Sequence, residues 1–374
     1  MFELIYSQFE VPGFFRLFSY VSFRALLAAL FSGAFCLIFG GAIIERLRVL
    51  KFGETIRSDG PESHQAKAGT PTMGGVMILS SVLLSCLLFG NLQNHYFLLL
   101  LMGTLGLGAI GFMDDYSKVV LKKQGGMSAR VKMVLTLLVA GAFCGLYYWL
   151  TPARTPGGPD AVLSIQYDST GLFLPFIKGQ ILDLTPYLAL PFWMIVLVGS
   201  AHAVNLTDGL DGLAIGNVCI VTVTMGILAY ITGTPRAANY LNLPGVIEGH
   251  EIAVFLAALT GAGLGFLWYN AAPALVFMGD TGSLALGGAL GMAAIILKKE
   301  FLLVVMGGVF VLEALSVILQ VGSYRLRGGK RIFRMAPLHH HFELGGWPET
   351  RVVIRFWLLG VLLSLLSLST LRIQ

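Results

Sequence analysis

Five short stretches hold the residue types that could do chemistry. In "GFMDDYSK" (111–118), Asp114 and Asp115 are adjacent carboxylates, which repel unless a proton or a cation intervenes. "NLTDGLDG" (205–212) spaces Asn205, Asp208 and Asp211 by three, with glycine after each aspartate. On a helix these three would lie near one face, and the glycines let backbone approach a ligand closely. In "NAAPALVFMGDTGS" (270–283), Asp280 precedes Thr281, Gly282 and Ser283, which read as a helix start, where free N–H groups hold anions. Asn270 and Phe277 add an amide and an aromatic face. "DGPESHQAKAGTPTMGG" (59–75) places Lys67 near the hydroxyls of Thr70 and Thr72, a point charge suited to phosphate. It lacks the GxxxxGK[ST] pattern of a P-loop. "PLHHHFE" (337–343) carries His339, His340 and His341.

Each stretch also has a bland reading. The aspartate pair could be a solvated helix end, although aspartate there opposes the helix dipole. The other aspartates could be caps or a re-entrant loop, Lys67 a topology marker, and the histidines a solvated loop. Taken together, carboxylates, lysine, amides and a helix start describe a site for Mg²⁺ and a diphosphate, because Mg²⁺ combines carboxylate with phosphate oxygens. A zinc site in the histidine stretch fits poorly: consecutive histidines point in different directions, and no cysteine lies in the same set of loops.

The elements that must position these stretches are membrane helices. The chain is 56% hydrophobic and 12% charged, against about 25% charged in soluble domains. It contains many runs near the roughly 20 apolar residues that a span needs. Ten spans are expected, near 20–44, 73–90, 96–113, 131–150, 187–204, 213–231, 251–269, 283–297, 301–323 and 352–371, the eighth being short. The fold class is therefore an all-α polytopic membrane protein of one integral domain, 1–374, the first run being a retained span, not a cleaved signal.

Loops 45–72, 114–130, 205–212, 270–282 and 324–351, with the adjoining Lys132 and Arg355, carry 17 of the 25 basic residues. That bias places them in the cytoplasm and both termini on the periplasmic side. All five chemical stretches fall on this cytoplasmic face, though neither acids nor histidines entered the orientation. The net charge of +5 then marks topology, and no nucleic-acid partner is expected. Segment 151–186 reads as a periplasmic loop with a small hairpin. Cys36, Cys86, Cys144 and Cys219 lie in apolar runs and form no disulfide or metal pattern. The glycine runs "GTLGLGAIG" (103–111), "GAGLGF" (261–266) and "GGALGMA" (287–293) suit close helix packing. Glu313 lies inside the ninth span, in a packing or a proton-linked role.

"DGPESH", "KAGTPTMGG", "GFMDDY", "NLTDGLDGLA", "MGDTGSLALGG", "PLHHHFE" and "VIRFW" occur in that order. Over nearly the whole chain this pattern resembles the phospho-N-acetylmuramoyl-pentapeptide-transferase family, within the polyprenyl-phosphate N-acetylhexosamine-1-phosphate transferases. Ala68 departs from the bulkier residue that many members carry, and 151–186 holds no shared motif.

The resemblance implies a Mg²⁺-dependent enzyme of the bacterial inner membrane, frequently dimeric, with its cleft open to the cytoplasm. It implies transfer of phospho-MurNAc-pentapeptide from UDP-MurNAc-pentapeptide to undecaprenyl phosphate in the bilayer, giving lipid I and UMP. Carried over by motif, Asp280 would hold Mg²⁺ with Asp114 and Asp115 beside it. Asp114, Asp115, Asp280 and His339 would form the catalytic set. Lys67, Thr72, Asn205, Asp208 and Asn270 would hold the nucleotide-sugar diphosphate. Leu206, Gly209, Asp211 and Phe277 would form the uridine pocket, with Phe277 stacked on the base. His339, His340 and His341 would line the cleft, and Gln320 would approach it. One rival transfers GlcNAc-1-phosphate, against which the histidine motif argues. A rival of another class is a transporter, which would need no Mg²⁺ and release no UMP. Direct attack by the acceptor, with Asp114 or Asp115 as base, and an aspartyl-phosphate route both remain open to the sequence.

Overall fold

A computed structural model describes residues 13–50, 69–121, 125–151, 170–175, 177, 182–241, 243, 245–246 and 249–372. Lys67 and most of segment 151–186 lie outside them. The described chain is almost wholly helical. After a 3-10 turn at Gly13–Ser19 come α1 (Val21–Val49), α2 (Gly75–Phe89), α3 (His95–Val119), α4 (Ala129–Leu150), α5 (Pro186–Thr207) and α6 (Leu213–Thr232). Then follow short α7 (Pro235–Leu241), α8 (His250–Asn270), α9 (Gly279–Ile296), short α10 (Glu300–Met306), α11 (Gly308–Leu326), short α12 (Leu338–Glu343) and α13 (Glu349–Ser369). Two-residue strands Gly171–Leu172 and Leu182–Asp183 pair antiparallel, so the expected hairpin exists at the end of segment 151–186.

Among the described residues, nine helices are long and apolar enough to cross a membrane by length and composition. Large apolar side chains point outward on them, Leu26, Leu30 and Ile38 of α1 and Ile195 of α5 among them, as expected where the solvent is lipid and not water. The chain is thus an all-α multi-pass membrane protein.

Three expectations about spans change. The short helix is α2, at 15 residues or roughly 22 Å, while α9 has 18 residues. The expected span at 301–323 is two helices, because the Gly307–Gly308 pair interrupts it and Gly307 leaves helical geometry; glycine costs a helix about 1 kcal/mol relative to alanine. And α3 runs on to Val119, so Asp114 and Asp115 lie within the helix and do not end it.

The site depends on α9 as a central post. The candidate span in α9 is 89% buried, and α9 packs against α2, α3, α5 and α6. Its composition, GDTGSLALGGALGMAAII, is small enough for four neighbours to approach. A side chain at Gly111 of α3 would collide with the backbone of Asp280 and Thr281, and one at Gly287 of α9 with the backbone of Ser200 and Ala201. The run at 261–266 works the same way, Gly261 of α8 lying against Ala29 of α1.

Candidate active site

Close contact at Gly111 brings the two halves of the acid cluster together. One turn further along α3, Asp114 and Asp115 are 0% and 2% exposed, and they meet the first turn of α9. Ligand oxygens of Asp114, Asp115 and Asp280 lie within 4.8 Å of one another. The three do different things. Asp115 accepts from the backbone N–H of Asp280 (3.1 Å) and Thr281 (2.9 Å), and from the Thr281 hydroxyl (2.7 Å). It therefore satisfies donors that the start of α9 would otherwise leave open, and its charge favours that positive helix end. Sequence suggested an external anion at this helix start; the anion on the Asp280 and Thr281 N–H groups is the chain's own Asp115. Gly279 makes the turn possible: its φ of +73° suits glycine, and a side chain there would strike Asp115 and Thr72. Thr72 is thereby brought beside the cluster, on a segment whose Gly74 and Gly75 N–H groups donate to the carbonyls of Phe277 and Met278.

Asp114 and Asp280 face each other across two ammonium groups. Lys118 lies 2.8 Å from Asp114 Oδ2 and 2.8 Å from Asp280 Oδ2. Lys132, in the first turn of α4, lies 2.7 and 2.6 Å from the same two oxygens. The Met127 N–H donates to Asp114 Oδ1 at 2.6 Å. Asn205, at the end of α5, donates to Asp280 Oδ1 (2.5 Å) and to the Ser283 hydroxyl (2.8 Å). Three carboxylates against two ammoniums leave one net negative charge. An all-oxygen carboxylate set is hard, and it fits a hard divalent cation better than a soft one. The aspartate triad can hold a metal ion, with Asp114 and Asp280 turned toward the lysines and Asp115 committed mainly to α9.

The 205–212 stretch is not one helical face. Helix α5 stops at Thr207, Asp208 caps it, and Gly212 begins α6 in left-handed geometry. Asn205 consequently turns to Asp280, while Asp211 turns to the Ala274 N–H (3.0 Å). Asn270 accepts from the Gly212 N–H (3.0 Å) and donates to the Val276 carbonyl (2.9 Å). Asp211 and Asn270 thus latch two loops together, and the latch positions the half-buried Phe277. Leu206, at the end of α5, is 37% exposed.

The histidines diverge as their spacing suggested. His339 is fully buried; its backbone N–H and Nδ1 lie 3.2 Å from the carboxylate of Glu313 in α11. Among the described residues its Nε2 has no hydrogen-bond partner, and it faces Gly209, where any side chain would collide with the ring. His340 Nδ1 pairs with Glu343 (2.8 Å), and His341 Nδ1 accepts from the Arg334 N–H (3.1 Å). Gln320 stands apart from the acids. Its amide donates to the Phe333 carbonyl and accepts from Ile332 and Phe333 N–H, so it braces the loop before the histidines.

Sequence alone marks Lys118 and Lys132 as topology residues and leaves Glu313 between a packing and a proton-linked role. Lys118 was recoverable, since it lies three and four residues after the aspartates, on the same helix face. Lys132 had no local signal, because only the fold brings the start of α4 to Asp280.

Residues 97–298 match the model of glycosyl transferase family 4. Residues 67–79 match signature 1 of phospho-N-acetylmuramoyl-pentapeptide-transferase. Proteins with that name are similar over 100% of both chains: one from Leptospira biflexa serovar Patoc at 54% identity, and ones from Syntrophus aciditrophicus and Thermodesulfovibrio yellowstonii at 47%.

Proposed function

This chain belongs to the phospho-N-acetylmuramoyl-pentapeptide-transferase family, and on that premise we propose that it transfers phospho-MurNAc-pentapeptide from UDP-MurNAc-pentapeptide to undecaprenyl phosphate. The products are lipid I and UMP. The observation that carries this reading is full-length identity of 54% to a protein of that name. The aspartate and lysine cluster supplies a chemistry that suits it. In the same reading α2 counts as a tenth crossing, and the acid cluster faces the cytoplasm of a bacterial inner membrane. The basic-residue bias of the loops supports that orientation.

An oxygen of the acceptor phosphate attacks the sugar-bearing phosphorus. The bond to the UMP oxygen breaks, and the electron pair leaves on UMP. We assign Asp114 as the group that takes the acceptor's proton, because its Oδ2 faces the gap toward Asp280, whereas Asp115 is committed to the start of α9. Asp115 then acts by holding Asp280 in register. Lys118 and Lys132, already between Asp114 and Asp280, are within reach of phosphates entering that gap, where positioned cations stabilise developing charge. Asn205 orients Asp280, and Thr72 lies on the same rim. The latch of Asp211 with Asn270 shapes a uridine pocket around Phe277 and Leu206. A Mg²⁺ ion held by Asp280, with Asp114 and Asp115 beside it, would draw charge from the diphosphate and the departing UMP.

The test is UMP release by purified full-length protein with Mg²⁺ and a polyprenyl phosphate, using UDP-MurNAc-pentapeptide and UDP-GlcNAc in parallel. UMP from the muramoyl donor alone is expected. Release from UDP-GlcNAc alone would move the chain to the GlcNAc-1-phosphate branch. No UMP from either donor would overturn the enzyme reading in favour of anion passage.

A further inference from the structure

Beyond the acid cluster, a cavity of about 500 Å³ lies where the end of α11 meets the loop leading to α12. Arg325, Arg331 and Arg334 line it together with the apolar surfaces of Val321, Tyr324 and Leu344. No acidic side chain lines it, and none of the three guanidinium groups forms an ion pair with a carboxylate among the described residues. Arg334 is fixed in place: it donates to the Leu344 carbonyl at 2.7 Å, and its backbone N–H donates to His341. Gln320, which also lines the cavity, braces the loop at Ile332 and Phe333. The cavity is therefore built on the segment that carries the histidines, and it contains none of Asp114, Asp115 and Asp280.

Three cations along one apolar wall suit an anion borne on an aliphatic stem, and guanidinium matches carboxylate in a two-pronged geometry. The groups that react must meet at the acid cluster. Both diphosphate phosphates and the attacking acceptor phosphate are needed there, so none of them can occupy a separate cavity during reaction. A pentapeptide attached through its N-terminus to the muramoyl group has a free C-terminal carboxylate. Five extended residues reach up to about 17 Å from their attachment. We propose that the cavity lined by Arg325, Arg331 and Arg334 binds the C-terminal carboxylate of the donor's peptide. This inference rests on the proposed function and names a second point of recognition for that donor.

The test compares UDP-MurNAc-pentapeptide with its C-terminal amide, measuring UMP release by the full-length enzyme. The wild type should show a KM about tenfold lower for the acid than for the amide, which corresponds to about 1.4 kcal/mol. Arg325→Gln and Arg331→Gln should raise the KM for the acid and bring the two donors together, with kcat on the acid nearly kept. A wild type that treats acid and amide alike overturns the proposal without reference to any variant. So does a variant with an unaltered unfolding midpoint that loses activity equally on both donors. A raised KM for polyprenyl phosphate, with donor KM unmoved, overturns it in favour of a site for the lipid phosphate. Absence of UMP from every donor overturns the functional reading itself, and is distinguished from the other outcomes because the wild type then fails with acid and amide together.

Discussion

At the start of α9, three carboxylates share two ammonium groups that are 39% and 16% exposed, Lys118 and Lys132. Just past the end of the same helix, Lys298, Lys299 and Glu300 are 1%, 2% and 2% exposed. There the Lys298 ammonium sits over the rings of Trp193, 4.7 Å away, and Tyr147, 5.3 Å away. Nearby, Arg24 of α1 forms a two-pronged ion pair with Glu251 of α8, and both are about 2% exposed. Both ends bury charge, yet they differ in access. The first end keeps cations at the edge of solvent, facing oxygens that a ligand could also use. The second seals each charge against helix, ring or counter-charge. Buried charge by itself therefore does not mark a catalytic site in this fold; buried charge next to an open gap does.

The largest effect should follow from Asp280→Asn. Turnover should fall at least about 10³-fold, the scale of losing a main electrostatic stabiliser, and the dependence on Mg²⁺ should weaken. The unfolding midpoint should move little. UMP release across a Mg²⁺ titration reads this out, and turnover above a tenth of wild type would erase the distinction between the ends.

Arg24→Met should do the reverse. It strands Glu251 in the interior and should cost about 3–5 kcal/mol of stability, while kcat per folded molecule stays within about twofold. Denaturation in detergent together with activity per active fraction measures both. Replacing the pair together, as Arg24→Met with Glu251→Leu, should recover most of the loss. A selective fall in kcat would make this end functional after all.

The smallest effect concerns pH. Burial pulls Lys298 and Lys299 down to about 8 from the ordinary 10.5, and burial raises the Glu300 carboxyl. Between about 8 and 10.5 the unfolded chain holds more protons on these lysines, so stability rises with pH across that window. Lys298→Met should remove roughly half of the rise, about 3 kcal/mol. Parallel stability curves for variant and wild type from pH 7 to 10.5 would show that Lys298 is not held in this depressed state.

Much of this was legible before folding. The five polar stretches did converge, in that Asp114, Asp115, Asp280, Asn205 and Thr72 meet, and Gly209 meets His339. Lys67 belongs to the same expectation but lies outside the described residues. What misled was local spacing. Asn205, Asp208 and Asp211 looked like one helical face, but the glycines that made them attractive also end the helix. Gln320, expected to approach the cleft that the histidines line, braces the loop that leads to them. Lys132 looked like one of many basic loop residues, because nothing in its neighbourhood names its partner.

Sequence by itself determined the solvent and the elements. With 56% hydrophobic residues in long apolar runs, backbone groups in lipid must bond internally, and helices follow. It also determined which residue types were available for catalysis, because those few polar stretches stand out against an apolar background. Only the tertiary structure decided how adjacent aspartates divide their work. Asp115 accepts from Thr281, far along the chain, while Asp114 turns to Lys132 and the gap before Asp280. The two carboxylates are neighbours in sequence and point about 100° apart around α3. Which of them meets the start of α9 depends on how closely Gly111 lets that helix approach, and no spacing along a single helix encodes that.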